Sequence, residues 1–436
     1  MRKLRMTAAL CGAVALAVAG AIPSSAHGHD PAPVTTGTVA FTLDGTVLDA
    51  GEQVTSVTLD LRRVPGISAA RITPSTFTVR AEGRVPDGAS SGSASDVAFD
   101  VERAVTKVRT LPGGKVELDL ASGNGAEGAS TLTYLGDQGR NVLLDLDYTI
   151  QQNAPITLRN GRDVTVGSFE QRGLVDPEVD AFSSTTSGDG LKYRLYAPAR
   201  AKGDRPLVVW LHGNGEGGLP GYYGNEVQLR ANRGALGFAT SKAQRIFGGA
   251  YVVAPEVPDT WYNADESGYR GKLRALITEL SHRYRIDQSR IHVAGASAGG
   301  LMAVELGAAY PETFASVVTA APALNLFRTG DYLIGADEVV RLADTPTWFI
   351  QSRDDATVPF EKASVWAHDL LPGSELTLYD TVTWAGETYP GHWSWIYLAH
   401  DDPATARGTH VWEWMSRQDR APADGGTRGH GGGHRS

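Results

Sequence analysis

The chain has a single cysteine, Cys11, among 436 residues. That excludes an intrachain disulfide and any cysteine-built zinc site. A basic surplus is also missing. Lys and Arg number 40 against 49 Asp and Glu, for a formal net charge of −9. A nucleic-acid binder ordinarily shows a basic stripe, so that class is set aside. No segment is a convincing membrane span. The apolar stretch 7–22 (TAALCGAVALAVAGAI) has sixteen residues rich in Ala and Gly, short of the ~20 that a spanning helix needs. What is present suffices for a core: 42% of residues are hydrophobic and 20% charged, which excludes a wholly disordered chain. The length favours two domains.

The N-terminus reads as an export signal. Residues 1–6 (MRKLRM) are basic, the apolar stretch follows, and Ser24-Ser25-Ala26 offers a small-x-Ala cleavage site. A lipoprotein attachment at Cys11 is disfavoured, because the apolar run continues past it. No twin arginine is present, so general export fits best. Cleavage after Ala26 removes Arg2, Lys3 and Arg5, taking the charge from −9 to −12, and removes the cysteine as well. The expected product is secreted, with no membrane association once residues 1–26 are gone.

Residues 27–36 (HGHDPAPVTT) read as a flexible leader. From 37 to 180 the texture is β. Val57, Leu59 and Leu61 alternate with polar residues, as do Val116, Leu118 and Leu120, the period of half-buried strands. Residues 77–79 and 97–99 read similarly, with turn clusters between, and a β-sandwich similar to an immunoglobulin-like module is expected. Over 181–418 strands and helices alternate. Strands are expected at 192–197, 206–211, 250–254, 290–294, 316–320, 347–351 and 375–379. Helices are expected at 270–285, 298–310, 361–371 and 404–416. Such alternation implies an α/β domain, a mostly parallel sheet with helices on both faces. The tail 419–436 is Gly- and His-rich and reads as disordered.

The chemistry concentrates at Gly295-Ala296-Ser297-Ala298-Gly299, a G-x-S-x-G between the strand RIHVA and a helix. A serine on so tight a turn needs glycines beside it to avoid Cβ clashes. The same pattern at 88–92 has no strand before it or helix after it, and reads as a turn. In this arrangement an acid and then a histidine follow the serine. Asp354 and Asp355, after the strand 347–351, both qualify as the acid. Among the later histidines His392 alone lies on a loop beyond a late strand and before the closing helix, placed to act as general base. The oxyanion donors are expected to be the Ala298 amide and an amide of the loop 212–218. Asn214 is favoured there, with Gly213 and Gly215 as alternatives. His212 is read as shaping that loop, and Glu216 as orienting it or facing solvent.

The segments LHGNGEGG (211–218), APEVPDTW (254–261), RIDQSRIHVAGASAGG (285–300), DATVP (355–359) and GHWSWIY (391–397) together resemble secreted α/β-hydrolase esterases. These are the polyhydroxybutyrate-depolymerase-like and prolyl-oligopeptidase-like group, some of which carry an N-terminal immunoglobulin-like domain. The resemblance covers about 185–417 and implies an α/β-hydrolase fold. Its D-x-x-V-P pattern selects Asp355 over Asp354, and its G-H-x-S-W pattern selects His392. The implied activity is carboxylic ester hydrolysis by a Ser-His-Asp triad, with a peptidase or polyester depolymerase as the second reading. A surface- or carbohydrate-binding protein with an inactive hydrolase domain is the third. The substrate is then a small-molecule or polymeric ester. Two-step acyl transfer needs no metal or cofactor, and none is expected. Trp261 and Trp393, with Trp395, are candidates for an acyl or aryl pocket. No feature points to an oligomeric state.

Overall fold

The computed structural model describes residues 34–64, 66–67, 70–89, 96–199, 203–326 and 329–420. The expected signal 1–26, the leader up to residue 33, part of the 88–92 motif and the tail beyond 420 lie outside the described residues. Residues 34–36, expected in the flexible leader, instead open a strand: Val34, Thr35 and Thr36 pair in parallel with Val164, Thr165 and Val166. At the other end the Arg420 N–H donates to Ser289 O at 2.9 Å.

The first half of the chain is strand-rich. It comprises β1 (Val34–Leu48), β2 (Gly51–Asp60), β3 (Phe77–Arg84), β4 (Val97–Arg103), β5 (Val105–Leu111) and β6 (Lys115–Leu120). These are followed by β7 (Leu132–Leu135), β8 (Arg140–Leu143), β9 (Asp145–Gln152), β10 (Ile156–Thr157) and β11 (Asp163–Val175). One sheet has the order β10-β11-β1-β2-β6-β5, a second β4-β3-β9, and β7–β8 is a separate hairpin. The period-two pattern does what it dictates. Val57, Leu59, Val116 and Leu118 from the first sheet share one buried cluster with Val79, Ala81 and Tyr148 from the second. Arg103 is buried beside this core with both of its terminal nitrogens hydrogen-bonded. It donates to the carbonyls of Gly128 (2.8 Å), Val54 (3.1 Å) and Ala121 (2.7 Å) and to Tyr148 Oη (2.8 Å).

The second half forms an eight-stranded sheet. Its strands are β12 (Phe182–Thr186), β13 (Lys192–Tyr196), β14 (Arg205–Leu211), β15 (Tyr251–Glu256), β16 (Ile286–Ala296), β17 (Ser316–Ala320), β18 (Thr347–Ser352) and β19 (Glu375–Tyr379). The order is β12-β13-β15-β14-β16-β17-β18-β19. The β12–β13 and β13–β15 pairs are antiparallel and the rest parallel. β14 shows why its sequence is an unbroken apolar run. Leu207, Val209 and Leu211 feed a core on one face, while Val208 and Trp210 feed a core on the other. Helices Tyr269–Arg283 and Ala298–Ala309 cover the first face, and Gly234–Ala239 and Val411–Ser416 the second.

Two expected helices are shorter than the sequence pattern implied. The stretch 361–371 divides into a 3-10 turn, Phe360–Lys362, and a helix, Ser364–Leu370. Of 404–416 only Val411–Ser416 is helical, because the chain before it turns back at Gly408, whose φ is +79°. That left-handed region suits glycine and interrupts a helix. A hairpin, β20 (Val382–Trp384) and β21 (Glu387–Tyr389), was not legible as such; Ala385 and Gly386 turn it with φ of +51° and +89°.

Buried polar ties hold the strand-rich half against this sheet. Glu52 is fully buried and paired with Arg230, and it accepts from Thr131 Oγ1 at 2.7 Å. Arg233 donates to Val47 O at 2.6 Å, and His400 Nε2 lies 2.7 Å from Asp49 Oδ1.

One buried acid in the helix behind the sheet sets a pH response. Glu305 lies 3.9 Å from Arg270, and its Oε2 has no hydrogen-bond partner. Burial pushes its pKa from 4.5 to about 7. Between those values the folded protein holds a proton that the unfolded chain has lost, so stability falls as pH rises through this window. Glu305→Gln is expected to stabilise the fold at pH 8 by about 1–3 kcal/mol and to do little at pH 4. Urea melts of both proteins at the two pH values check this.

Candidate active site

Ser297 occupies the sharp turn between β16 and the helix Ala298–Ala309, at φ 54° and ψ −117°. The flanking glycines are needed for contact, not only for flexibility. A Cβ on Gly299 would lie 2.1 Å from Leu211 O, and one on Gly295 2.2 Å from Gly299 O. The turn is pinned by Ser297 N–H to Ala320 O at 2.9 Å, while Ser297 O accepts from Leu301 N (3.1 Å) and Ala323 N (3.0 Å). Backbone strain of this kind persists only where surrounding bonds hold it.

The structure brings the three expected side chains into one line. His392 Nε2 lies 2.9 Å from Ser297 Oγ, and His392 Nδ1 lies 2.9 Å from Asp355 Oδ2. Asp355 follows β18, and its carboxylate is buried. It accepts from Thr357 N and Val358 N, both at 2.9 Å, and from Gln351 Nε2 at 3.0 Å. Burial pushes its pKa up, but the hydrogen bond and charge of His392, with the backbone donors, outweigh this and hold it below the usual value. An acceptor-only carboxylate fixes Nδ1 as the protonated nitrogen, which leaves Nε2 as the acceptor facing the serine.

Asp354 is exposed and points elsewhere. Its part is to seat the histidine loop: Ser352 Oγ lies 2.7 Å from Asp354 Oδ1 and 2.6 Å from Gly391 O. A Cβ on Gly391 would lie 2.5 Å from Asp354 O, so only glycine lets His392 approach. The other histidines stand apart. His368 Nδ1 contacts Ser374, and His410 Nδ1 contacts Asp401 O.

The loop after β14 passes over the serine. Gly213 comes so close that its Cβ position is 3.7 Å from Ser297 Cβ. Asn214 begins a 3-10 turn, Asn214–Glu216, whose first amides have no partner within the turn. Ala298 begins the helix after the serine in the same way. Glu216 is buried rather than solvated. Burial pushes its carboxyl pKa up, and hydrogen bonds from Asn141 and the Gly213 backbone pull it partly back. Asn214 and Ala298 each open a turn next to Ser297, and Gly213 lies against the serine side chain. His212 shapes the loop from beneath. Fully buried, with a pKa lowered to about 4 by burial, it is neutral; Nδ1–H donates to Gly213 O at 2.7 Å and Nε2 accepts from Val257 N at 3.3 Å.

A cavity of about 660 Å³ opens above Ser297 and His392. Trp393 and Trp395 line it. Trp261 does not. It is fully buried, its Nε1–H donates to His212 O at 2.9 Å, and its ring packs on Tyr269, so it supports the loop from below instead of meeting a ligand. The neighbouring Tyr262 faces the cavity in its place. The opposite wall comes from the strand-rich half, through Leu132, Thr133, Tyr134 and Asn141. Nothing local in those residues signalled a site, since only tertiary contact brings them here.

Known proteins give the arrangement a context. A model of the prolyl oligopeptidase family matches residues 273–332, the helix–strand–helix segment that carries Ser297. A putative esterase, NocK, of Nocardia uniformis subsp. tsuyamanensis is 31% identical over 156 residues, 35% of this chain and 44% of that protein. The match therefore spans less than half the length of that relative. The crystal structure of a thermostable esterase superposes with a TM-score of 0.69 at 24% identity, covering 87% of this chain and 99% of that one. Sheet order, the turn at Ser297 and this superposition together show that the chain has an α/β-hydrolase fold.

Proposed function

We propose that this protein is a secreted serine hydrolase that cleaves carboxylic esters through an acyl-enzyme on Ser297. One observation carries the reading: the unbroken chain Asp355–His392–Ser297 at 2.9 Å per step, ending at an open cavity. In the first half-reaction Ser297 Oγ attacks the ester carbonyl carbon and His392 Nε2 takes the serine proton. The carbonyl oxygen becomes an oxyanion under the Ala298 and Asn214 amides. As the tetrahedral carbon collapses, the C–O bond to the alcohol breaks and His392 protonates the departing oxygen. Water then repeats the sequence and releases the acid. No metal or cofactor takes part. Residues 1–26 direct export, and residues 37–180 are a β-sandwich of immunoglobulin-like kind.

The esterase name of the NocK relative supports ester over peptide bonds. The prolyl oligopeptidase match keeps a serine peptidase as the second reading, since amide cleavage uses the same groups. Hydrolysis of p-nitrophenyl esters of increasing acyl length, beside peptide p-nitroanilides, separates them. Turnover of the short esters with little on the anilides is expected. Preferential cleavage of the anilides would give the peptidase reading, and turnover of neither would remove both.

A further inference from the structure

The hairpin β7–β8 belongs to the strand-rich half, yet it meets the oxyanion loop directly. Asn141 Nδ2–H donates to Glu216 Oε1 at 3.2 Å. Glu216 in turn packs against Gly213, the residue before Asn214: a Cβ on Gly213 would lie 3.0 Å from Glu216 Oε2. Next to Asn141, Arg140 is buried and donates to Gly218 O at 3.4 Å and Asp259 O at 3.0 Å, fixing the far end of the same loop. Leu143 N–H donates to Tyr222 Oη at 2.8 Å. The approach is close: a Cβ on Gly215 would lie 3.1 Å from Asn141 Nδ2, and one on Gly217 3.6 Å from Arg140 Nε. Tyr134, on the same hairpin, keeps 60% of its surface exposed while lining the cavity beside Gly215. A large ring left open at the mouth of a site, instead of being packed away, is available to a ligand.

We propose that the β7–β8 hairpin completes the active site. Asn141 is a positioning residue that holds the oxyanion loop through Glu216, and Tyr134 is the wall against which the bulkier part of the substrate lies. The loop's amides must be aimed before the oxyanion forms, so loosening their support lowers the rate of the chemical step more than substrate binding. Tyr134 touches no part of the triad, so its loss weakens binding of large substrates more than of small ones. This rests on the serine-hydrolase reading above.

The test uses full-length protein throughout. Asn141→Ala is expected to lower kcat about 10-fold with KM within about 2-fold, and to slow labelling of Ser297 by a fluorophosphonate similarly, since loss of a whole oxyanion donor costs about 10²–10³. Asn141→Asp keeps the shape but turns the donor into an acceptor facing Glu216, and is expected to cost at least as much. If Asn141 acts through Glu216, Asn141→Ala and Glu216→Ala are non-additive in kcat. Tyr134→Ala is expected to raise KM for esters of bulky aryl acids about 5-fold more than it raises KM for p-nitrophenyl acetate, and an equal change for both would remove Tyr134 from the substrate wall. A merely structural hairpin would lower the melting temperature while kcat and labelling stay at wild-type values in both Asn141 variants; that result overturns the proposal. Wild-type protein that neither turns over esters nor takes the label would remove the hydrolase reading, and this proposal with it.

Discussion

Ser297→Ala is expected to lower kcat on p-nitrophenyl esters by about 10⁵–10⁶, the scale of nucleophile loss in a serine hydrolase, with the fold and KM preserved. The expectation of an intact fold is specific to this turn. Alanine keeps the Cβ that the φ of 54° already accommodates, and every bond pinning the turn is a backbone bond. Only the Oγ contact with His392 is removed. Retention of more than about 1% of activity would place the nucleophile elsewhere.

Asp355→Asn is expected to lower kcat by about 10⁴. The carboxylate accepts four hydrogen bonds, and an amide offers one oxygen in their place. If that oxygen keeps Thr357 and Val358, the NH2 group faces His392 and drives its proton to Nε2, so the imidazole can no longer take one from the serine. Asp354→Asn is expected to stay within about 5-fold, because an amide oxygen can still accept from Ser352 Oγ and Asp354 does not touch His392; a reversed order of effects would exchange the two roles. The same carboxylate also stabilises the fold. Its pKa is lowered on folding, so its contribution is fully present above the unfolded value of 3.8 and is lost as pH falls through the lower folded value. Acid unfolding of the Asn variant is therefore expected to lack that component, which a pH titration by circular dichroism measures.

How much of this was legible follows from where each residue's neighbours lie in the chain. Ser297 and Asp355 each sit just past the end of a sheet strand, and strand ends are visible as apolar runs that stop. A parallel sheet brings such ends to one edge, so order along the chain becomes proximity in space. His392 was readable even though the β20–β21 hairpin intervenes, because Gly391 and the loop character around it are local. Trp261 misled for a related reason. The sequence places it beyond β15, at the right edge, but a 3-10 turn aims its ring inward and Tyr262 outward. Asn141, Tyr134 and Arg140 carried no signal at all. They sit on short strands of the first half, and their meeting with the loop 213–218 depends on ties such as Glu52–Arg230 that no periodicity encodes. The 404–410 stretch shows the converse, a helical spacing overridden by a single glycine turn.

The most direct test of Ser297 as the nucleophile is to map the site of covalent modification. Wild-type protein would be incubated with a fluorophosphonate, digested and sequenced by mass spectrometry, beside Ser297→Ala. The expected result is one stoichiometric adduct on Ser297, absent from the variant. An adduct on another residue, or undiminished labelling of Ser297→Ala, would contradict acyl transfer through Ser297.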